Sequence, residues 1–89
     1  MEFTKDPQAV LDYKWDWSDW LADGETITSH TVTASGLTLD SHNVSDGNTS
    51  VTAWLSGGAI HTKYRVVCTI TTNQGRTDER TMIINCLDR

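Results

Sequence analysis

The chain has 89 residues, with seven Lys or Arg against twelve Asp or Glu, a formal net charge of −5 and 37% hydrophobic residues. A chain of this length forms one domain with a single small core, which excludes a large enzyme with several lobes. The negative charge argues against binding to nucleic acid or to an anionic membrane, because both need clustered Lys and Arg. The chain also lacks an apolar run of the roughly 18 residues that span a bilayer, and its N-terminus lacks the apolar core of a signal peptide. We therefore expect a soluble protein that is not exported.

Threonine, valine and isoleucine are unusually frequent. Thr occurs 14 times, Val 6 times and Ile 5 times, so 25 of the 89 residues are β-branched. Such side chains pack well on a pleated sheet and lose freedom in a helix, so the composition predicts an all-β fold. The acidic residues are concentrated near the N-terminus, since residues 1–25 hold seven of them and only two Lys.

The first nine residues show no apolar periodicity, and Pro7 lacks a backbone N–H. We predict that residues 1–9 form an extended N-terminal arm and that residues 10–89 form the domain.

A strand is predicted at residues 10–17, because apolar and charged residues alternate with the two-residue period of a half-buried strand. Its apolar positions are Leu11, Tyr13, Trp15 and Trp17. The Asp residues at 12, 16, 19 and 23 have helical spacing, but a helix would scatter the aromatic residues around its surface. We therefore prefer a strand, followed by one helical turn at residues 18–21.

Further strands are predicted over residues 25–34, 37–44, 51–55 and about 62–72, with a last strand after the turn at 73–77. Ile27 and Val32 have opposite parity in the second strand, which indicates a bulge or a strand with little buried area. About six to seven short antiparallel strands with a turn every ten or so residues predict an immunoglobulin-like β-sandwich.

The last hairpin has a predicted register, because its apolar faces should coincide. The best match pairs Val66 with Ile84, Cys68 with Met82 and Tyr64 with Cys86, with the loop centred on Gly75. We predict a core composed of Tyr13, Trp15, Trp17, Tyr64, Val66, Cys68, Ile70, Met82, Ile84 and Cys86.

The two cysteines are predicted to be free. In this register Cys68 and Cys86 are offset by four residues along paired strands, which is farther than a disulfide reaches. Both also lie late in the chain, unlike the pair of immunoglobulin domains. We expect buried thiols that pack as small apolar groups and no structural disulfide.

No catalytic, metal or cofactor site is predicted. His30, His42 and His61 are isolated in sequence, and the cysteines lack the spacing of a metal motif. The polar segment 40–47 departs from the calcium-loop pattern at Val44 and has no downstream Glu. Ser, His and Asp are present, but a strand–Ser–helix elbow is not, so we expect a protein that is not an enzyme.

The four tryptophans allow two interpretations. Exposed indoles at Trp15, Trp17, Trp20 or Trp54 could stack on sugar rings, with nearby Asp residues accepting hydroxyl hydrogens. The alternation instead favours a core position for Trp15 and Trp17, and it leaves Trp20 as an interface candidate. The charged residues at 76 and 78–80 are interpreted as the tip of the hairpin rather than a site.

Four short segments in order resemble a known family. They are KDPQAVLDY at residues 5–13, WDWSDWL at 15–21, WLSGG at 54–58 and GRTDER at 75–80. These segments, which span nearly the whole chain, are similar to the fiber-tail adaptors of tailed bacteriophages. The resemblance implies an immunoglobulin-like, non-enzymatic virion protein that joins the tail to the tail fiber or receptor-binding apparatus.

The resemblance also implies partners. We expect contacts with other phage tail or fiber subunits and a homo-oligomer in the virion tail, after synthesis in the host bacterial cytoplasm, with no cofactor, nucleic acid or membrane. The predicted contact residues are Lys5, Asp6, Pro7, Asp12, Asp16, Asp19 and Trp20. The alternative function is a carbohydrate-binding or adhesive β-sandwich module that uses exposed Trp.

Overall fold

The chain folds into seven β-strands in two sheets, in a computed structural model that describes residues 2–6 and 8–87. The strands are β1 Glu2–Lys5, β2 Leu11–Asp16, β3 Ile27–Ala34, β4 Thr38–Ser45, β5 Ser50–Ser56, β6 Thr62–Thr72 and β7 Thr77–Cys86. One sheet has the order β1-β7-β6-β3, and the other has the order β2-β5-β4. The predicted all-β fold is confirmed, with its two sheets arranged as in a sandwich. None of the described residues belongs to a helix that is long and apolar enough to cross a membrane.

The first strand differs from the prediction of a separate arm and of an antiparallel fold. Glu2–Lys5 pairs in parallel with β7 of the same chain, from Glu2 opposite Ile83 to Lys5 opposite Cys86. The segment is an edge strand because it pairs on one side only, with β7. Phe3 and Lys5 point inward, and the ring centroid of Phe3 lies 5.2 Å from that of Tyr13. Pro7 lies outside the described residues.

The core lies between the two sheets and contains the side chains that alternation places inward. Trp15 and Trp17 are fully buried with Val51, Leu55, Cys68 and Met82. Each indole removes about 200 Å² from water, which corresponds to about 5 kcal/mol of hydrophobic transfer free energy before the loss of conformational entropy. Tyr64, predicted in the core, is half-buried and packs against its margin.

Both features that the parity of Ile27 and Val32 allowed are present in β3, since its register is irregular and Ile27 is its one buried residue. The pairing of β3 with β6 shifts between Ile27 and Ser29, which brings Val32 opposite Cys68 and turns it inward. A second irregularity lies in β4 between Leu39 and Ser41.

The predicted register of the last hairpin is wrong by two residues. Val66 pairs with Met82 rather than Ile84, Cys68 pairs with Arg80, and Tyr64 pairs with Ile84. A two-residue shift keeps every side chain on its face, so the inward residues agree although the pairs do not. Cys68 and Cys86 are free and buried, and burial raises the pKa of the Cys68 thiol to about 12.

Candidate interaction surfaces

A cluster of aromatic and charged side chains closes one end of the core. We call it the Trp–Arg cluster, and its members are Trp17, Trp20, Glu25, Thr72, Arg76, Asp78 and Arg80. It forms where the turn after β2 meets the hairpin between β6 and β7.

Glu25 is the buried acid of the Trp–Arg cluster. Its side chain is fully buried and forms a two-point ion pair with Arg76, whose Nε donates to Oε2 at 2.9 Å and whose Nη2 donates to Oε1. Thr72 Oγ1 donates to Oε2 at 2.6 Å, and the backbone N–H of Ala22 donates to Oε1 at 2.9 Å. Because these donors favour the charged form, first of all Arg76, they lower the pKa of Glu25 to about 2.

The two arginines of the cluster lie over tryptophan rings. The Arg76 guanidinium is 4.0 Å from the Trp20 ring centroid, and the Arg80 guanidinium is 4.9 Å from that of Trp17. Trp17 Nε1 donates to Asp78 Oδ2 at 2.8 Å. The residues interpreted as hairpin-tip charges therefore hold two segments of the chain together, and Trp20 is half-buried beneath Arg76 rather than free.

A second junction lies at the other end of β7. Lys5 has no exposed surface, and its Nζ donates to the carbonyl oxygens of Gly57 at 2.8 Å and Asp6 at 2.9 Å. Gly58 has φ +99°, and a Cβ there would lie 2.6 Å from Cys86 Sγ and 2.9 Å from Leu37 Cδ2. Lys5, a predicted contact residue, is buried and joins the end of β1 to the loop after β5.

The predicted acidic contact residues are mostly at the surface. Asp12 and Asp16 project outward from β2, and Asp19 is exposed in the following turn. Asp16 accepts from the backbone N–H of Ser18 at 2.8 Å, which lowers the pKa of its carboxyl. Asp6 is half-buried and accepts from the backbone N–H of Gln8 at 2.8 Å.

Lys14 lies between the two outward Asp residues of β2. It forms an exposed salt bridge of 2.7 Å with Asp46, and this hydrogen bond is the first cause of the lowered pKa of Asp46. Lys14 supplies the one Lys or Arg of β2, β4 and β5, and its charge is thus paired with an acid of the same chain.

Trp54 was not among the predicted contact residues, yet it is the exposed tryptophan of the described chain. It is 42% exposed on the central strand β5, opposite Asp12 on β2 and Ser41 on β4. The sequence carried a signal for this position, since Val51, Ala53 and Leu55 alternate inward and leave Trp54 on the outer face. In the described part of the chain no pocket and no group of three metal-ligating side chains is found.

Fold and surface together define a small two-sheet β-protein with a filled core and end junctions made from its own polar side chains. Over residues 5–85 the chain matches the family model of the podophage GP4 fiber-tail adaptor protein gp77. The chain belongs to this family, whose members are structural adaptors of the bacteriophage tail that interact with other tail or fiber proteins. A comparison with curated proteins found no match.

The four segments that carry the resemblance meet in two pairs. WDWSDWL contacts GRTDER through the Trp–Arg cluster, where Arg80 Nη1 also donates to the Asp16 carbonyl at 2.8 Å. KDPQAVLDY meets WLSGG through Lys5 and Gly57. Many residues of these segments therefore hold the two ends of the fold together. Trp54, which belongs to WLSGG, instead projects into solvent.

Proposed function

We propose that this protein joins the phage tail to the tail fiber or receptor-binding apparatus by protein–protein contacts, without catalysing a reaction. The observation that carries the proposal is the family match over residues 5–85. The elongated shape, 42 × 18 × 17 Å, suits a part that contacts one neighbour at each end or along one face.

The proposed contacts involve the acidic surface made by Asp12, Asp16 and Asp19 and the N-terminal segment over residues 1–9. The Asp side chains are exposed, and β1 is an edge strand, the kind of position at which a sheet accepts or approaches another chain. We also propose a homo-oligomer in the virion, because assembly would add buried area to a small core.

A phage that lacks the gene tests the role itself. We expect host cells to produce particles that have tails but lack fibers or the receptor-binding apparatus, with infectivity restored when the wild-type chain is supplied in the host. Particles with a normal fiber content would contradict the adaptor role.

A charge substitution tests the acidic surface separately. The triple variant Asp12→Asn, Asp16→Asn, Asp19→Asn should reduce the adaptor content of purified particles. The matched control, Asp23→Asn, Asp40→Asn, Glu79→Gln, removes as many exposed charges elsewhere and should leave that content unchanged. Equal adaptor content in both sets of particles would remove the acidic surface from the proposal.

A further inference from the structure

Trp54 lies among polar side chains on the outer face of the β2-β5-β4 sheet. Its neighbours across the sheet are Asp12 and Ser41, and its same-face neighbours along β5 are Thr52 and Ser56. All four side chains are shorter than the indole, so the ring rises above them. We call this surface the Trp54 face, and it includes the outward side chains Asp12, Lys14, Asp16, Ser41, Thr52, Trp54 and Ser56 on β2, β5 and β4.

The core of the described chain does not need the Trp54 side chain. The core beneath β5 is filled by Val51, Ala53 and Leu55, all without exposed surface. Tryptophan at the centre of a polar surface is the residue type that most often supplies binding energy in protein interfaces, because a partner's pocket removes a large apolar area from water.

The charge of the Trp54 face differs from that of the opposite sheet. Asp12 and Asp16 flank Lys14 on β2, and Lys14 is paired with Asp46 at 2.7 Å. This leaves the face acidic.

The outer face of the β1-β7-β6-β3 sheet is closer to balance. There Lys63 pairs with Glu2 at 3.0 Å, and Arg65 and Glu79 add one charge of each sign. A partner of the acidic face should therefore be basic.

We propose that the Trp54 face is the surface on which one neighbouring tail protein docks. The neighbour presents an apolar pocket for the Trp54 indole, bordered by Lys or Arg side chains that lie opposite Asp12 and Asp16. The inference rests on the proposed adaptor function and specifies the surface and the chemistry of one partner.

Oxidative footprinting of intact particles tests the location of the interface. Hydroxyl radicals are generated around the free protein and around purified virions, and modification of Trp54 is measured by mass spectrometry. We expect Trp54 to be modified about tenfold more slowly in virions, because interface hot spots are shielded from water. Ile60, which is 45% exposed in the loop after β5, provides an internal reference away from the strands of this face.

The outcomes separate this inference from the proposed function. Virions that contain the protein but leave Trp54 as reactive as in the free chain would overturn the docking face alone. Virions that do not contain the protein would overturn the adaptor function, and the inference with it.

Substitutions test the chemistry of the partner. Trp54→Ala should lower the adaptor content of particles by at least about tenfold, while Ile60→Ala, an equally exposed apolar truncation, should not. Asp12→Lys should also lower that content, whereas Glu79→Lys on the opposite sheet should not. Thermal unfolding of the purified variants excludes misfolding, and full incorporation of both Trp54→Ala and Asp12→Lys would overturn the proposal.

Discussion

The Glu25 carboxylate and the Arg76 guanidinium form a two-point ion pair that joins the turn before β3 to the hairpin before β7. The pair lies 51 residues apart in the sequence, and Arg76 also stacks on Trp20. It is the central contact of the Trp–Arg cluster, because it fixes both the Trp turn and the hairpin against the end of the core.

Acid should weaken the fold through Glu25. Its pKa is lowered from 4.5 to about 2, so the folded state binds its proton less readily than the unfolded chain does. The stabilisation is complete above about pH 4.5 and is lost as the pH falls from there to about 2. Urea unfolding across this range should show the wild-type advantage over Glu25→Gln shrinking towards acid.

The control for that experiment is Glu79→Gln, which changes an exposed carboxylate on β7. This exposed change should alter the unfolding free energy by no more than about 0.5 kcal/mol. If the difference between the wild type and Glu25→Gln did not shrink towards acid, the ion pair would not contribute to folding.

The buried Lys5 ammonium provides a second prediction. Lys5→Met keeps most of the apolar stem but removes the donor to the Gly57 carbonyl, and we expect a loss of about 1–3 kcal/mol in unfolding free energy. Lys63→Met breaks the exposed pair with Glu2, and we expect a loss below about 1 kcal/mol. Equal losses for the two variants in chemical denaturation would show that Lys5 does not hold β1 in place.

Gly58 should tolerate no side chain. Alanine there would place a Cβ 2.6 Å from Cys86 Sγ and 2.9 Å from Leu37 Cδ2, so that these buried side chains would have to shift. Gly75 also has a positive φ, but open space surrounds it, so Gly75→Ala should cost only the backbone strain of about 1–2 kcal/mol. Gly58→Ala should cost about 1–3 kcal/mol more, measured by urea unfolding, and equal costs would exclude the predicted clash.

The sequence predicted those features of the fold that depend on the two-residue alternation of side chains along a strand. Apolar alternation located Trp15 and Trp17 in the core, and the opposite parity of Ile27 and Val32 indicated a bulge or a little-buried strand, because each depends on which face a residue occupies. The hairpin register failed because matching apolar faces cannot distinguish shifts of two residues. The same matching of apolar faces does not predict the observed pairing of Cys68 with Arg80, because it places a charged residue on the inward face.

The candidate surfaces were less predictable because charge alone does not report burial. Lys5 looks like a solvent-exposed residue of an arm, but carbonyl groups from distant segments make its burial acceptable. Trp54 could have been placed on the outer face from its parity, whereas the side chains beside it depend on which strands pair with β5. That pairing is a long-range property that a single sequence does not specify.

The two sheets are also joined by a pair of histidines whose behaviour should depend on pH. His30 on β3 and His42 on β4 lie with Nε2 and Nδ1 2.8 Å apart and their rings nearly perpendicular. Their cross-strand neighbours, Ile70 and Ala53, are not titratable. The hydrogen bond needs one nitrogen to donate and the other to accept, so it fails when both rings are protonated.

Burial, and then the nearby charge of His42, lower the pKa of His30 from its usual 6.5. A lowered pKa means that the histidine contributes its full stability above about pH 6.5 and that this contribution is lost as the pH falls through the lower folded-state value. The melting temperature of the wild type should therefore drop between about pH 8 and about pH 5 by more than that of His30→Asn. The matched control is His61→Asn, which replaces an exposed histidine outside the His30–His42 pair at a positive φ that Asn accepts. An NMR titration of the His30 ring checks the cause. The substitution His42→Asn should raise the pKa of His30, while burial still keeps that pKa below 6.5. An unchanged pKa of His30 would mean that the two rings do not interact.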